Sequence, residues 1–378
     1  FVWGYAISQL PGGVLGQRFG PRRTLMVAGL LWIIASALTG FLPGLYFTSS
    51  LGVLGTLIVV RFLLGVAHAP MFPVQAAAVQ RWFPVGQWAM PNAIASTGLT
   101  LGAAVAQPLV AFIMVYWGWR MSFYVFVPVG VGLFALWWWY ARDDPSEHPA
   151  MTLTELSVIK ANRTALTQNQ GFDAWKQLIR NRETLLLSGA YFSQCYVFYL
   201  FFTWFFHYLV TELGFGILET GVLAALPWIT GAVTATLGGL ACDALCKRLG
   251  SRWGCRLPAI IGLSCAGTFL YVGLYSSSPY LGVFLLSLCF ASTQFTEGAF
   301  WSAQTFVAGP YTAPACGVMN TGGNFAGVIV APLMPFLASY FGWAAALSTG
   351  TMVALFGAGL WLLIRADLPF QPLKRSSD

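Results

Sequence analysis

Apolar runs of about 20 residues recur from one end of the chain to the other, each long enough to cross a hydrocarbon core of about 30 Å. Short polar stretches rich in glycine, proline and arginine separate them. The pattern predicts eleven helices, at 1–19, 24–43, 53–79, 88–117, 121–141, 184–210, 218–242, 257–276, 280–306, 315–340 and 343–364. Strands of a membrane barrel would alternate over about ten positions, whereas these runs are continuous. The chain therefore reads as an all-α polytopic membrane protein, with the lipid bilayer as its main solvent.

Composition agrees. Of 378 residues, 57% are hydrophobic by type and only 8% are charged, where soluble domains carry about 25% charged residues. The mean hydropathy is +0.71. Lysine and arginine then supply an orientation. Seventeen of them, including Arg18, Arg22, Arg23, Arg81, Arg142, Lys247 and Arg365, fall in alternate loops and the tail, against Arg120 alone on the other side. This bias places the C-terminus in the cytosol, and the compact loops suggest a bacterial cytoplasmic membrane. It also accounts for the net charge of +7, which needs no nucleic-acid partner. An odd number of spans and a start at Phe1 inside an apolar run lead to the expectation of one further, preceding helix, twelve in all.

The longest polar stretch divides the spans into an N-terminal bundle (1–141), a cytosolic linker (142–183) and a C-terminal bundle with its tail (184–378). Internal repetition supports that division. Residues 96–119 align without gaps on 320–343, with eight of 24 pairs identical, among them Gly98/Gly322, Pro108/Pro332, Tyr116/Tyr340 and Trp119/Trp343. A second pair, "GVLGQRFGPRR" (13–23) and "GLACDALCKR" (239–248), places a helix glycine just before a short basic turn in each half. Parallel six-helix repeats imply a substrate site between the halves near the midplane.

Polar residues stranded in apolar helices are costly and mark cavities or partners. Arg61 is the only basic residue well inside a span, and Glu297 the only acidic one. A planar guanidinium can bind a carboxylate through two hydrogen bonds, so Arg61 is the candidate ligand for an organic anion; the alternative is an arginine that fixes helix packing or gates. His68 follows seven residues later, about 10 Å along the same helix face, with Gly65 between them leaving room for a ligand. Imidazole titrates near pH 6.5, which suits proton coupling. Gln194, Asn320, Asn324, Tyr5 and Trp301 are candidate polar contacts to a hydroxylated acid, although asparagine also joins helices structurally.

All seven cysteines lie beyond residue 194. Cys242, Cys246 and Cys255 gather at one cytosolic helix end, but their spacing matches no zinc pattern and no histidine is near. No metal and no cofactor are expected. The motifs G-x-S-x-G, HExxH and GxxxxGK[ST] are absent, so no enzyme activity is expected and the energy source is an ion or solute gradient.

The basic turn "GVLGQRFGPRR" resembles the loop signature of the major facilitator superfamily. It keeps Gly13, Arg18, Gly20 and Arg22 but has Gln17 where that family usually has an aspartate, which Asp243 supplies in the second copy. The fragments "GYAISQLPGG", "RFLLGVAHAPMFP", "GWRMSFY" and "GVMNTGGNFAGVIVAP" are similar to the anion:cation symporter branch. The resemblance implies a monomeric secondary transporter of a small organic anion, a sugar acid or other carboxylate, moved with a proton. It implies substrate contacts at Tyr5 and Asn320, a substrate and proton role for Arg61, and a glutamate where this chain has His68. It also places Arg61 and Glu297 on symmetry-related, cavity-lining helices. The expectation is that His68 and Glu297 together form the proton-coupling element. An uncoupled facilitator or exchanger, or a non-transporting sensor of the same fold, are the alternatives.

Overall fold

The computed structural model describes residues 1–42, 49–84, 87–161 and 178–370. Among these it forms fourteen α-helices and no strand. They are α1 (Val2–Phe19), α2 (Pro21–Phe41), α3 (Ser50–His68), α4 (Met71–Trp82), α5 (Ala89–Trp117), α6 (Trp119–Tyr140) and α7 (Leu153–Ala161), then α8 (Arg182–Thr203), α9 (Phe205–Thr211), α10 (Ile217–Leu274), α11 (Pro279–Phe295), α12 (Glu297–Ala308), α13 (Thr312–Phe341) and α14 (Trp343–Trp361). Nine described stretches are long and apolar enough to cross a membrane. Their outer faces expose large apolar side chains such as Leu133, Leu136, Met352 and Phe356, as a lipid-facing surface requires.

Local chemistry sets where the helices start and stop. The Ser49 and Asn181 side chains accept from Gly52 and Thr184 backbone N–H groups at 3.1 Å each, opening α3 and α8. Pro21 and Pro279 occupy first-turn positions where no donor is needed. The span expected at 53–79 is interrupted after His68, just before Pro70, whose missing N–H cannot continue the ladder. The span expected at 280–306 is likewise two helices that meet at Thr296. In the other direction, the predicted pair 218–242 and 257–276 has no loop between its members. Helix α10 runs to Gly250 (φ 78°, ψ 169°) and doubles back, so one glycine makes the whole turn.

The repeat is visible in the backbone. Gly118 and Gly342, which the 224-residue offset pairs, have φ/ψ of 81°/160° and 81°/161°. That region is open essentially to glycine alone. Gly20 and Gly250 make the corresponding corners of the two basic turns, at φ 85° and 78°. Each corner is followed two residues later by an arginine that meets an aspartate of the other repeat pair. The Arg22 backbone N–H donates to Asp143 Oδ1 at 2.8 Å, and Arg252 Nε lies 4.0 Å from Asp367 Oδ1. In the linker, Thr152 and Glu155 form a reciprocal capping box at the start of α7, with bonds of 2.7–3.2 Å.

Candidate substrate seam between the halves

Helices α1, α4 and α5 pack against α13, α12 and α10, and the side chains singled out by sequence lie mostly along these seams. Glu297 opens α12 and is buried. Its carboxylate accepts from Gln194 Nε2 at 2.8 Å, from Trp301 Nε1 at 2.8 Å and from the Tyr191 hydroxyl at 3.4 Å. Trp301 is placed one turn along the helix and stacks on Phe72 of α4, centroids 5.8 Å apart. The acid is thus satisfied within the C-terminal helices, while its indole partner touches the N-terminal ones.

A second polar string crosses the same seam. The Tyr199 hydroxyl donates to Asn324 Oδ1 at 2.6 Å. Asn324 Nδ2 donates to Asn320 Oδ1 at 3.0 Å and to its carbonyl at 2.7 Å. Asn320 Nδ2 then donates to the Tyr5 hydroxyl at 3.4 Å. The Tyr5 ring lies 5.6 Å from the His68 ring and stacks on Phe1 at 5.7 Å. Tyr5 therefore stands between His68 and Asn320. Gln9, one turn after Tyr5, is fully buried with its side-chain amide beside the Tyr5 hydroxyl. Sequence reasoning passed over both Gln9 and Tyr191. The i,i+4 relation of Tyr5 to Gln9 was the available signal for the first; an isolated tyrosine in an apolar helix carries none.

Arg61 is exposed on α3, its guanidinium 5.1 Å from the Phe123 ring centre. Among the described residues no ion pair joins it to Glu297. His68 is half-buried at the end of the same helix. The room expected beside Gly65 is taken: a Cβ there would collide with the Phe1 carbonyl and come within 2.8 Å of the Tyr5 nitrogen. That glycine serves close approach of α3 to α1.

At the end that carries the basic turns, two repeat-related contacts close the seam. Gly239 of α10 lies against α5, where a Cβ would meet Met90 Cα at 3.1 Å, and Gly13 of α1 lies against α13, where a Cβ would meet Pro314 Cα at 3.2 Å. Four residues beyond Gly239, the Asp243 carboxylate accepts the Ala89 and Met90 backbone N–H groups at 3.0 and 2.9 Å, capping α5. Four residues beyond Gly13 stands Gln17. Gly20 turns the chain, and Arg22 reaches the Trp138 carbonyl at 2.6 Å and its ring face at 4.2 Å. Arg18 lies over Phe19 at the surface. Gln80 Nε2 adds a bond of 2.6 Å to the Gly309 carbonyl across the same end. Beside Asp243, the Cys242, Cys246 and Cys255 sulfurs, expected to gather at this helix end, all lie within 4.8 Å of one another.

An apolar exterior around repeated helices, with buried polar side chains confined to the seams between them, defines a multi-pass membrane transporter fold. The chain belongs to the Major Facilitator Superfamily, whose model matches residues 1–247. It is 31% identical to the probable sulfoacetate transporter SauU of Cupriavidus necator, over 87% of this chain and 74% of that protein. It is 30% identical to the probable galactarate/D-glucarate transporter GarP of Escherichia coli, over 90% and 78%. These relatives fit the anion:cation symporter branch. In structure it is similar to the proton:xylose symporter XylE, with a TM-score of 0.76 over 96% of this chain and 84% of that one at 14% identity, which speaks for the fold.

Proposed function

We propose that the protein is a secondary active transporter that carries a small organic anion, a sugar acid or another carboxylate, by alternating access and proton symport. The observation that carries this reading is Glu297: a carboxyl buried at the seam, held by three donors and linked through Trp301 to the opposite half. An intramembrane acid so placed suits a site that takes up and releases a proton as the seam opens. Arg61 supplies positive charge for the anion; among the described residues no hydrogen bond or ion pair engages its guanidinium. Tyr5, Gln9 and Asn320 offer donors and acceptors to substrate hydroxyls, and His68 shares proton handling with Glu297. The names of the relatives, a sulfoacetate and a galactarate/D-glucarate transporter, support a small, highly charged acid.

The chain then works as two bundles, 1–141 and 184–378, joined by the linker 142–183. It acts as a monomer in a bacterial cytoplasmic membrane, with the basic turns and the C-terminus inside. In that orientation the Asp243 and Gly13 contacts close the cytosolic end. No step of this cycle asks for enzymatic chemistry. The test uses full-length protein in proteoliposomes that contain a pH-sensitive dye, challenged with sulfoacetate, sugar diacids, aromatic acids and dicarboxylates. Proton movement on adding one acid, lost in His68→Gln, supports coupled transport. Uptake of labelled acid with no proton signal would favour the facilitator reading, which His68 in place of the branch's glutamate motivates. Binding without flux would favour a sensor.

A further inference from the structure

The three thiols at the turn of α10 form a compact cluster that the transport reading does not use. Cys242 and Cys246 lie one turn apart before Gly250, and Cys255 faces them after it. The Cys242–Cys255 and Cys246–Cys255 sulfur distances are 3.9 and 3.7 Å. Cys242 and Cys255 are fully buried and Cys246 is 9% exposed. With metal–sulfur bonds of about 2.3 Å, three sulfurs around one ion stand about 3.8–4.0 Å apart. One of the three pairs falls within that range and a second lies just below it. Gly254 completes the cradle: a Cβ there would come within 2.5 Å of the Cys246 sulfur.

We propose that Cys242, Cys246 and Cys255 form a three-thiolate site for a soft monovalent cation, Cu(I). Thiolates select soft ions such as Cu(I) and zinc. Structural zinc almost always takes four protein ligands, and among the described residues the cluster offers three. The nearest carboxylate in sequence, Asp243, is committed to the Ala89 and Met90 N–H groups. On binding, the three Sγ–H groups release their protons to water and the sulfurs bond to the ion. The negative charge left behind falls at a basic turn, whose sequence carries Lys247, Arg248, Arg252 and Arg256. A disulfide would use two of these sulfurs and leave the third over.

The basic turn also shows where the site comes from. Gln17 is followed by its corner Gly20 after three residues, and Asp243 by Gly250 after seven. The four extra residues are about one helical turn, and that turn carries Cys246.

The test is titration of reduced, full-length protein in detergent with Cu(I) buffered by a competing chelator, with metal content and copper X-ray absorption as readouts. One Cu(I) per chain in an all-sulfur, three-coordinate shell is expected. Affinity should fall by more than the about 100-fold that outer-shell changes cost in Cys255→Ser and in Cys246→Ser, but not in Cys265→Ser. Should Cys255→Ser fail to fold, Cys246→Ser, at the less deeply buried of the two positions, gives the same reading. Copper uptake equal to that of a variant with all three cysteines changed to serine would overturn the proposal. So would preference for Zn(II) over Cu(I), or a Cys246–Cys255 disulfide that forms in the presence of the metal.

Discussion

Asp243 caps α5 through the N–H groups of Ala89 and Met90, whereas the residue paired with Met90 by the 224-residue repeat is Pro314, which has no N–H to give. The opposing contact has changed on both sides at once. Gln17 stands where Asp243 stands, and Pro314 stands where Met90 stands. A carboxylate at position 17 would find one donor fewer than Asp243 does. The two ends of this closure are therefore unequal, with the α5–α10 clamp carrying the charged contact.

This asymmetry makes a double-mutant prediction. Gln17→Asp alone or Pro314→Met alone should do little or harm stability, while the pair should show a favourable coupling of about 1 kcal/mol, within the range for contacting residues. Thermal unfolding of the four proteins in detergent reads it. Asp243→Asn, by contrast, weakens two charge-assisted bonds and should cost about 1–2 kcal/mol.

Gly118→Ala and Gly342→Ala should each destabilise by about 1–3 kcal/mol, because both backbones occupy a region that a Cβ disfavours. Neither site crowds an added methyl, so strain rather than collision is the cause. Similar losses from the two variants, measured by the same unfolding assay, would tie the corners to one repeated design.

Asn324 and Tyr5 should separate structure from binding. Asn324→Ala breaks a buried string to Tyr199 and Asn320, and intramembrane bonds of this kind average about 0.6 kcal/mol. It should lower thermal stability slightly while leaving KM near wild type. Tyr5→Phe keeps the His68 and Phe1 ring contacts and removes one hydroxyl. It should raise KM several-fold with little change in stability, as labelled-acid uptake will show.

How much of this was visible beforehand differs by residue. Hydropathy located the spans, and the lone charges Arg61 and Glu297 stood out because a bilayer penalises them. The breaks at Pro70 and Thr296 and the single-residue turn at Gly250 were not legible, since hydropathy runs straight through them. The loop signature singled out Asp243 as the acid that the first copy, with Gln17, lacks. Its receiver, the start of α5, lies more than 150 residues away and is found only once the helices pack. Tyr191 was missed for the same reason.

In the linker, Thr152 donates to the exposed Glu155 carboxylate and holds it below the usual carboxylate range. A folded-state value below the unfolded one means that the capping box adds stability above pH of about 4.3 and loses it as pH falls through the lowered value. Amide exchange at Leu156, taken relative to an unstructured chain at the same pH, should quicken in that acid window in wild type. In Thr152→Ala it should already be fast at neutral pH.

The central claim, that Glu297 carries the proton that drives the anion, meets its most direct test in paired flux measurements on proteoliposomes. Labelled-acid accumulation and internal pH would be followed together for wild type and Glu297→Gln. The account predicts that wild type accumulates the acid with internal acidification, and that the variant equilibrates it with no proton signal. The amide retains an oxygen for the Trp301 and Tyr191 donors, and Gln194 can turn its own amide to match. Accumulation with an undiminished proton signal in Glu297→Gln would contradict the account and move the coupling site elsewhere.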